Sequence, residues 1–224
     1  MKATTDFDQL IQPLLCAVEE QGQAHLGTDR VLVPLVAMVV QGTTSAIDSQ
    51  VQQALQIGVV PEKILEVVYQ LAPVVGSLKV RDAVAEIQAM LMRNDVTVEA
   101  PQMRTEEDFG AQVQADLYGT EIKHLLQDLP DHAGDFIASS LTEHFFNDHY
   151  ARLALTVQER ERFELMALIT LNVDFQINAH ARGSIKAGNT ESELIWSALQ
   201  LLPYVGFPLV INSVQKIHAA AMTF

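Results

Sequence analysis

Three side chains on two consecutive helical stretches have the types and spacing for proton transfer. His180 lies in "NAHARGSIKAGNT", residues 178–190, and Glu161 and Glu164 lie in "QERERFELMALITLN", residues 158–172. On a wheel of about 100° per residue, Ile177, Ala181 and Ile185 form an apolar stripe. His180 sits on its flank, and Arg182 points well away from its centre. Glu161 is in line with Leu165, Leu168 and Asn172, so its carboxylate runs along the apolar face, while Glu164 sits on the flank. A carboxylate facing a core costs free energy unless it is paired or protonated. If the two helices pack antiparallel, Glu161 or Glu164 reaches His180. A carboxylate there would orient the imidazole, and an imidazole so held can act as a general acid or base. The same spacing also fits a structural Glu–His pair, a boundary histidine bonded to a carbonyl, or a helix-start carboxylate meeting the macrodipole.

The other histidines form no comparable group. In "TEHFFNDHY", His144 and His149 are five apart and do not share a helix face, and neither Asp148 nor His132 completes a ligand spacing. They read as solvated or interface histidines. His25, His124 and His218 are isolated. No GxGxxG, P-loop, GxSxG or HExxH is present, so neither a metal nor a nucleotide cofactor is expected. Cys16 is the only cysteine, which excludes an internal disulfide and a CxxC redox pair.

The elements that must position these residues are all helical. Apolar residues recur at spacings of three and four, and no convincing strand pair is present. "TVQE" (Thr156–Glu159) and "TESE" (Thr190–Glu193) are capping boxes. Gly58 and Gly188 look like glycines just past helix ends, and Pro61 suits a first helical turn. "LLPYVGFP", with Pro203, Gly206 and Pro208, predicts a tight, buried bend between helices. "GVVPEKILEVVYQLAPVVG" from Gly58 and "GNTESELIWSALQLLPYVG" from Gly188 share one register, 130 residues apart. Gln70/Gln200, Leu71/Leu201, Pro73/Pro203, Val75/Val205 and Gly76/Gly206 all keep it, which indicates a tandem repeat. The expected organisation is an all-α chain with a degenerate first repeat over 1–93, a linker over 94–106 that includes Pro101, and a second repeat over 107–224 that carries the candidate site.

At 224 residues, 49% hydrophobic and 19% charged, the chain can bury a proper core. A net charge of −14 repels phosphate backbones, so nucleic acid is not an expected partner. An anionic small molecule would need a local cation to hold it. "MKATTDFDQL" does not read as a signal peptide, and the longest apolar run, "VLVPLVAMVV", is too short for a bilayer. A soluble cytoplasmic protein with no membrane contact is expected.

From about Asp108 to His218 the chain resembles the carboxymuconolactone decarboxylase family, which includes the alkylhydroperoxidase D-like proteins. "RERFELMALITLN…AHARGSIKAGNTESELIWSALQLLPYVGFPLVINSV" carries the resemblance, together with "DLYG" (Asp116–Gly119) and "HFFNDHY". Val31 to Met90 matches more weakly. The peroxidase branch has a CxxC whose cysteines fall on Val173 and Gln176 here, and its thiol chemistry needs both. Asn172, His180, Arg182 and Gly183 bring the chain closer to the decarboxylase branch.

The resemblance implies an all-α fold and a ring-like homo-oligomer, commonly a trimer of paired units. It implies a cofactor-independent lyase acting on a small carboxylated lactone or similar acid. His180 would be the acid, Glu161 or Glu164 would hold the imidazole, and Arg182 would orient a carboxylate bidentately. A non-catalytic ligand-binding or structural member of the family, or an isomerase using the same histidine, is the competing expectation. In the first half the 130-residue offset puts Val31 at Glu161, Pro34 at Glu164, Gln50 at His180 and Gln52 at Arg182. At most one competent site per chain is expected.

Overall fold

Helix ends fall where the punctuating residues put them. The computed structural model describes residues 5–224. Thr156 and Glu159 cap each other reciprocally, at 3.2 and 2.8 Å, and start α11 (Val157–Leu171). Thr190 and Glu193 do the same for α13 (Glu191–Gln200), at 3.1 and 2.8 Å. Pro61 is the first residue of α4 (Pro61–Tyr69), where its missing N–H costs nothing. Gly58 and Gly188, at φ 92° and 101°, end the preceding helices in a backbone region that penalises any side chain.

The two repeats follow element by element. A 3-10 turn (Gly27–Val31) runs into α2 (Leu32–Gln41) and is followed by α3 (Ile47–Gln56), α4, the single turn α5 (Ala72–Val75) and α6 (Ser77–Arg93). Shifted by 130 residues, these coincide with α11, α12 (Asp174–Lys186), α13, the single turn α14 (Leu202–Val205) and α15 (Phe207–Ala221). The all-α, two-repeat expectation holds. Among the described residues the only strand-like pairing is an isolated bridge between Met103 and Arg152. No described helix is long and apolar enough to cross a membrane.

The Pro203–Gly206–Pro208 bend is a helix-to-helix turn, as its residues predict, but it is not buried. Leu201 alone is fully covered; Leu202–Val205 are half-buried and Phe207 is 53% exposed. The bend runs along the surface because only one side of each flanking helix faces the core.

The core is built around α2 and α11, which pack on each other. Every residue of α2 from Leu32 to Val40 is buried, as expected of a helix that is apolar all round. In α11 the buried span runs from Arg160 to Ile169 and includes four charged residues, Arg160, Glu161, Arg162 and Glu164. Arg160 meets Glu66 of the first repeat at 2.8 Å, and Glu66 also accepts from Arg152 at 2.9 Å. Lys63 bridges Asp29 and Glu159, 2.6 Å from each, and these two acids are themselves one offset apart.

The segments ahead of the repeats differ. α1 (Asp6–Leu26) packs on α13 and α14, with His25 stacked 4.1 Å from Trp196. Ahead of the second repeat come α7 (Phe109–Tyr118), α8 (Glu121–Leu126), α9 (Ala133–Ser140), a π-helical stretch Leu141–Asn147, and α10 (Asp148–Tyr150). They build a second small core from Val113, Leu117, Phe145, Phe146 and Tyr150, and α7 rests on α12.

Candidate functional site

α11 and α12 are joined through Asn172, whose φ is 58°, and pack against each other. That connection brings the three sequence candidates together. His180 Nδ1 lies 3.5 Å from Glu161 Oε2 and 3.6 Å from Glu164 Oε2. Both glutamates are completely buried, whereas His180 keeps 17% of its side chain exposed.

The direct hydrogen bonds, however, run through two tyrosines that sequence reasoning did not single out. Tyr118, the last residue of α7, places its hydroxyl 2.9 Å from His180 Nδ1 and donates to Glu161 Oε2. Tyr150 donates to Glu161 Oε1 at 2.6 Å and is 3.5 Å from Glu164 Oε2. Glu161 thus accepts one hydroxyl on each oxygen, while Glu164 Oε1 has no partner among the described residues. Both tyrosines lie in stretches already noted for their resemblance, "DLYG" and "HFFNDHY". A second signal was Gly183 on α12, whose missing side chain makes room for a neighbour.

Electrostatics separates the roles. Burial, and then the Glu161 charge, pushes the Glu164 carboxyl well above the usual range, so Glu164 keeps its proton at a pH where ordinary carboxyls lose theirs. Burial and the same two glutamates push Tyr118 and Tyr150 well up, so both remain neutral phenols that donate. The Glu164 shift sets a pH dependence. Its folded pKa lies above its unfolded value, so between the two the folded state binds more protons and stability falls as pH rises. Glu164→Gln removes that loss. It should raise the melting temperature at pH 8 and flatten the decline expected above the ordinary carboxyl range, by about 2–4 °C for each kcal/mol recovered. Melting curves across pH check this; an unchanged slope would mean that Glu164 is not the group protonated.

Gly183 holds the assembly together by lacking a side chain. A Cβ there would lie 2.5 Å from the Tyr118 hydroxyl and 2.7 Å from its Cζ. The ring cannot swing aside without losing Glu161 and His180. Gly183→Ala should cost about 1–3 kcal/mol by overpacking, measured by chemical denaturation, and should unseat the imidazole.

Beyond His180 opens a cavity of about 280 Å³. Its walls are Leu125, Ile137, Leu141, Phe145, Phe146 and Phe175, and its polar groups are Tyr118, His180, Gln114, Gln176 and Glu121. His180 Nε2 has no hydrogen bond to protein, among the described residues, on the ring edge away from Tyr118. Arg182 does not line the cavity. It sits 41% exposed on the helix surface, 3.7 Å from Glu121, in the direction its place on the wheel predicts.

Glu161, Glu164 and His180 offer ligand atoms within 4.8 Å of one another, the one group of this kind among the described residues. A cation there would have to displace the Tyr118 hydroxyl, which bridges the imidazole and Glu161. His144 is exposed beside Asp148 at 3.2 Å, and His132 beside Asp135 at 3.3 Å. His149 is half-buried, and its covered Nδ1 has no hydrogen-bond partner among the described residues. Burial and then the Arg160 charge lower its pKa.

In the first repeat, Gln50 donates to the carbonyl of Val31 at 2.7 Å, the residue at the Glu161 position. Val31, Pro34 and Gln50 thus supply an amide and apolar side chains where the second repeat has two carboxylates and an imidazole. Gln52 is exposed.

No curated protein matches the chain. The family model described as carboxymuconolactone decarboxylase family matches residues 27–89 and 137–218. Shifted by 130, the first segment falls on 157–219, within one residue of the end of the second. The two matched segments cover well over half of the chain and both repeats, and the chain belongs to the carboxymuconolactone decarboxylase family.

Proposed function

We propose that the second repeat moves a proton to or from carbon in a small carbonyl compound, with His180 as the acid and base. The observation that carries this reading is the two-sided setting of the imidazole. Tyr118 gives its single hydroxyl proton to Glu161, so it can only accept from His180. Neutral His180 therefore carries its hydrogen on Nδ1, and Nε2 presents a lone pair on the cavity side. When Nε2 takes a proton from carbon, the electron pair passes into the substrate carbonyl and an enolate forms. The imidazolium keeps its Nδ1–H on the Tyr118 hydroxyl, which in turn donates to Glu161. The proton then returns to the same carbon or to a conjugated one.

The lyase reading uses the second half of this sequence. The bond to the carboxylate breaks, carbon dioxide leaves, the electron pair enters the carbonyl, and His180 protonates carbon. Family membership favours it. It also asks for a cation to hold the carboxylate of a lactone acid, and Arg182, the residue expected to do so, is paired with Glu121 outside the cavity. Isomerisation of an uncharged carbonyl compound is therefore the better-supported chemistry.

Deuterium incorporation tests the proposal. In D2O the wild-type protein should speed exchange at the α-carbon of 2-tetralone, read by proton NMR, and His180→Gln should not. Exchange at the solvent rate with 2-tetralone and with carboxylated lactones alike would leave a member that only binds or assembles.

The reading includes a homotrimer. Phe136, Phe207 and Ile211 are at least half exposed, and apolar side chains of this kind are what oligomer interfaces cover. Sedimentation at micromolar concentration should give three chains; a monomer would overturn it.

A further inference from the structure

The charge around the cavity bears on what can enter it. The only charged side chain among its lining residues, apart from the imidazole, is Glu121. Behind Tyr118 lie Glu161 and Glu164, both fully buried. Two cations lie near Tyr118 without lining the cavity: Arg182 is 3.7 Å from Glu121 on the helix surface, and Lys186 donates to the Leu117 carbonyl at 2.8 Å. An anionic ligand would thus leave water for apolar walls, with one carboxylate, Glu121, and no lysine or arginine among the residues that line them. An unpaired carboxylate in such surroundings costs several kcal/mol or gives up its charge. Phe145, Phe146 and Phe175 line the same space and suit the faces and edges of a planar ring.

The second observation is Gln114, which is 7% exposed and lines the cavity from α7. Its Oε1 lies 2.5 Å from the Thr142 hydroxyl, whose single proton it shares with the Ala138 carbonyl at 3.1 Å. Its Nε2 has no protein partner among the described residues. An amide N–H left open at an apolar cavity wall is a ready donor for a ligand oxygen. The cavity thus offers one free base, His180 Nε2, and one free donor, Gln114 Nε2.

We infer that the cavity takes an uncharged, ring-shaped carbonyl compound, that it rejects the carboxylated counterpart, and that Gln114 binds the carbonyl oxygen. This rests on the proton-transfer reading of His180. When His180 removes the α-proton, the C–H electron pair becomes the new double bond and the carbonyl π pair moves onto oxygen. The Gln114 N–H then faces the oxygen on which charge develops, as a donor should in stabilising an enolate. The proton returns from His180 Nε2 to carbon, so no oxidant or co-reactant is needed.

Two probes that differ by one group decide the matter. 2-Naphthol has the shape of an enolised bicyclic ketone, and 6-hydroxy-2-naphthoate is the same molecule with a carboxylate. Titrations followed by naphthol fluorescence and by calorimetry should give at least tenfold tighter binding for 2-naphthol. Phe175 is half exposed and its replacement does not empty the core; Phe175→Arg should reduce that preference at least threefold. Gln114→Leu should weaken 2-naphthol binding and slow exchange of 2-tetralone, with the melting temperature confirming that the fold is intact. Equal or tighter binding of the naphthoate, or no binding of 2-naphthol at millimolar concentration, would overturn the ligand class. If 2-naphthol binds as expected and 2-tetralone still exchanges at the solvent rate, the ligand class stands and the proton-transfer reading fails.

Discussion

His180→Gln is expected to lower turnover by about 10²- to 10⁴-fold, the usual worth of a positioned acid or base, while changing the melting temperature by no more than about 2 °C. The asymmetry follows from where the side chain lies. His180 is on the flank of α12, partly exposed, and contributes little to the apolar stripe that Ile177 and Ala181 bury completely. A glutamine amide can still donate to the Tyr118 hydroxyl, so the tyrosine–glutamate bonds keep a partner. It cannot take up and return a proton. Gln50, at the matching place in the first repeat, is buried and donates to a backbone carbonyl, which shows how an amide fits this position. Deuterium exchange and thermal melting on the same preparations separate the outcomes. A sharp fall in melting temperature with exchange unchanged would make the histidine structural.

The largest loss of stability is expected from Glu66→Ala. The Arg160 guanidinium is fully buried, and its carboxylate partner is Glu66, 1% exposed, across the boundary between repeats. Its other acceptors are the Arg152 carbonyl at 2.8 Å and a long contact to Gln70 at 3.4 Å, and its Nε has none. Removing Glu66 strands that charge, and a broken buried pair costs about 3–5 kcal/mol, or roughly 6–20 °C for a chain of this size. Arg152 would lose the same partner but is 26% exposed and can turn toward water. The double variant Glu66→Leu/Arg160→Met, which removes both charges and fills the space, should recover most of the loss. Failure to recover would mean that the shape of the two side chains matters more than their charge.

Much of the candidate site could be read along the chain. Glu161 and His180 each follow from position on one helix, because a period of 3.6 residues assigns a side chain to a face whatever the partner. The outward direction of Arg182 follows in the same way. Tyr118 and Tyr150 could not be found so. They come from α7 and α10, ahead of the helices that recur at the 130-residue offset, and nothing local says that a hydroxyl from either will end on the Glu161 carboxylate. Gly183 carried a trace of it, since a glycine inside a helix costs stability unless something approaches closely.

The helical fold, the repeat and its ends were determined by sequence alone. Capping boxes, Pro61 at a first turn, and Gly58 and Gly188 past helix ends are local devices whose energetics involve only a few neighbouring residues. The 130-residue register is likewise plain in the letters. Only the tertiary structure decided which atoms of these elements meet. It set the imidazole against Tyr118 rather than directly against a glutamate, left Glu164 to keep its proton, and placed His180 in the wall of a largely apolar cavity with no lysine or arginine among its lining residues. Burial, charge coupling and cavity shape are properties of side chains brought together from distant segments, and their energies exist only after the helices have packed.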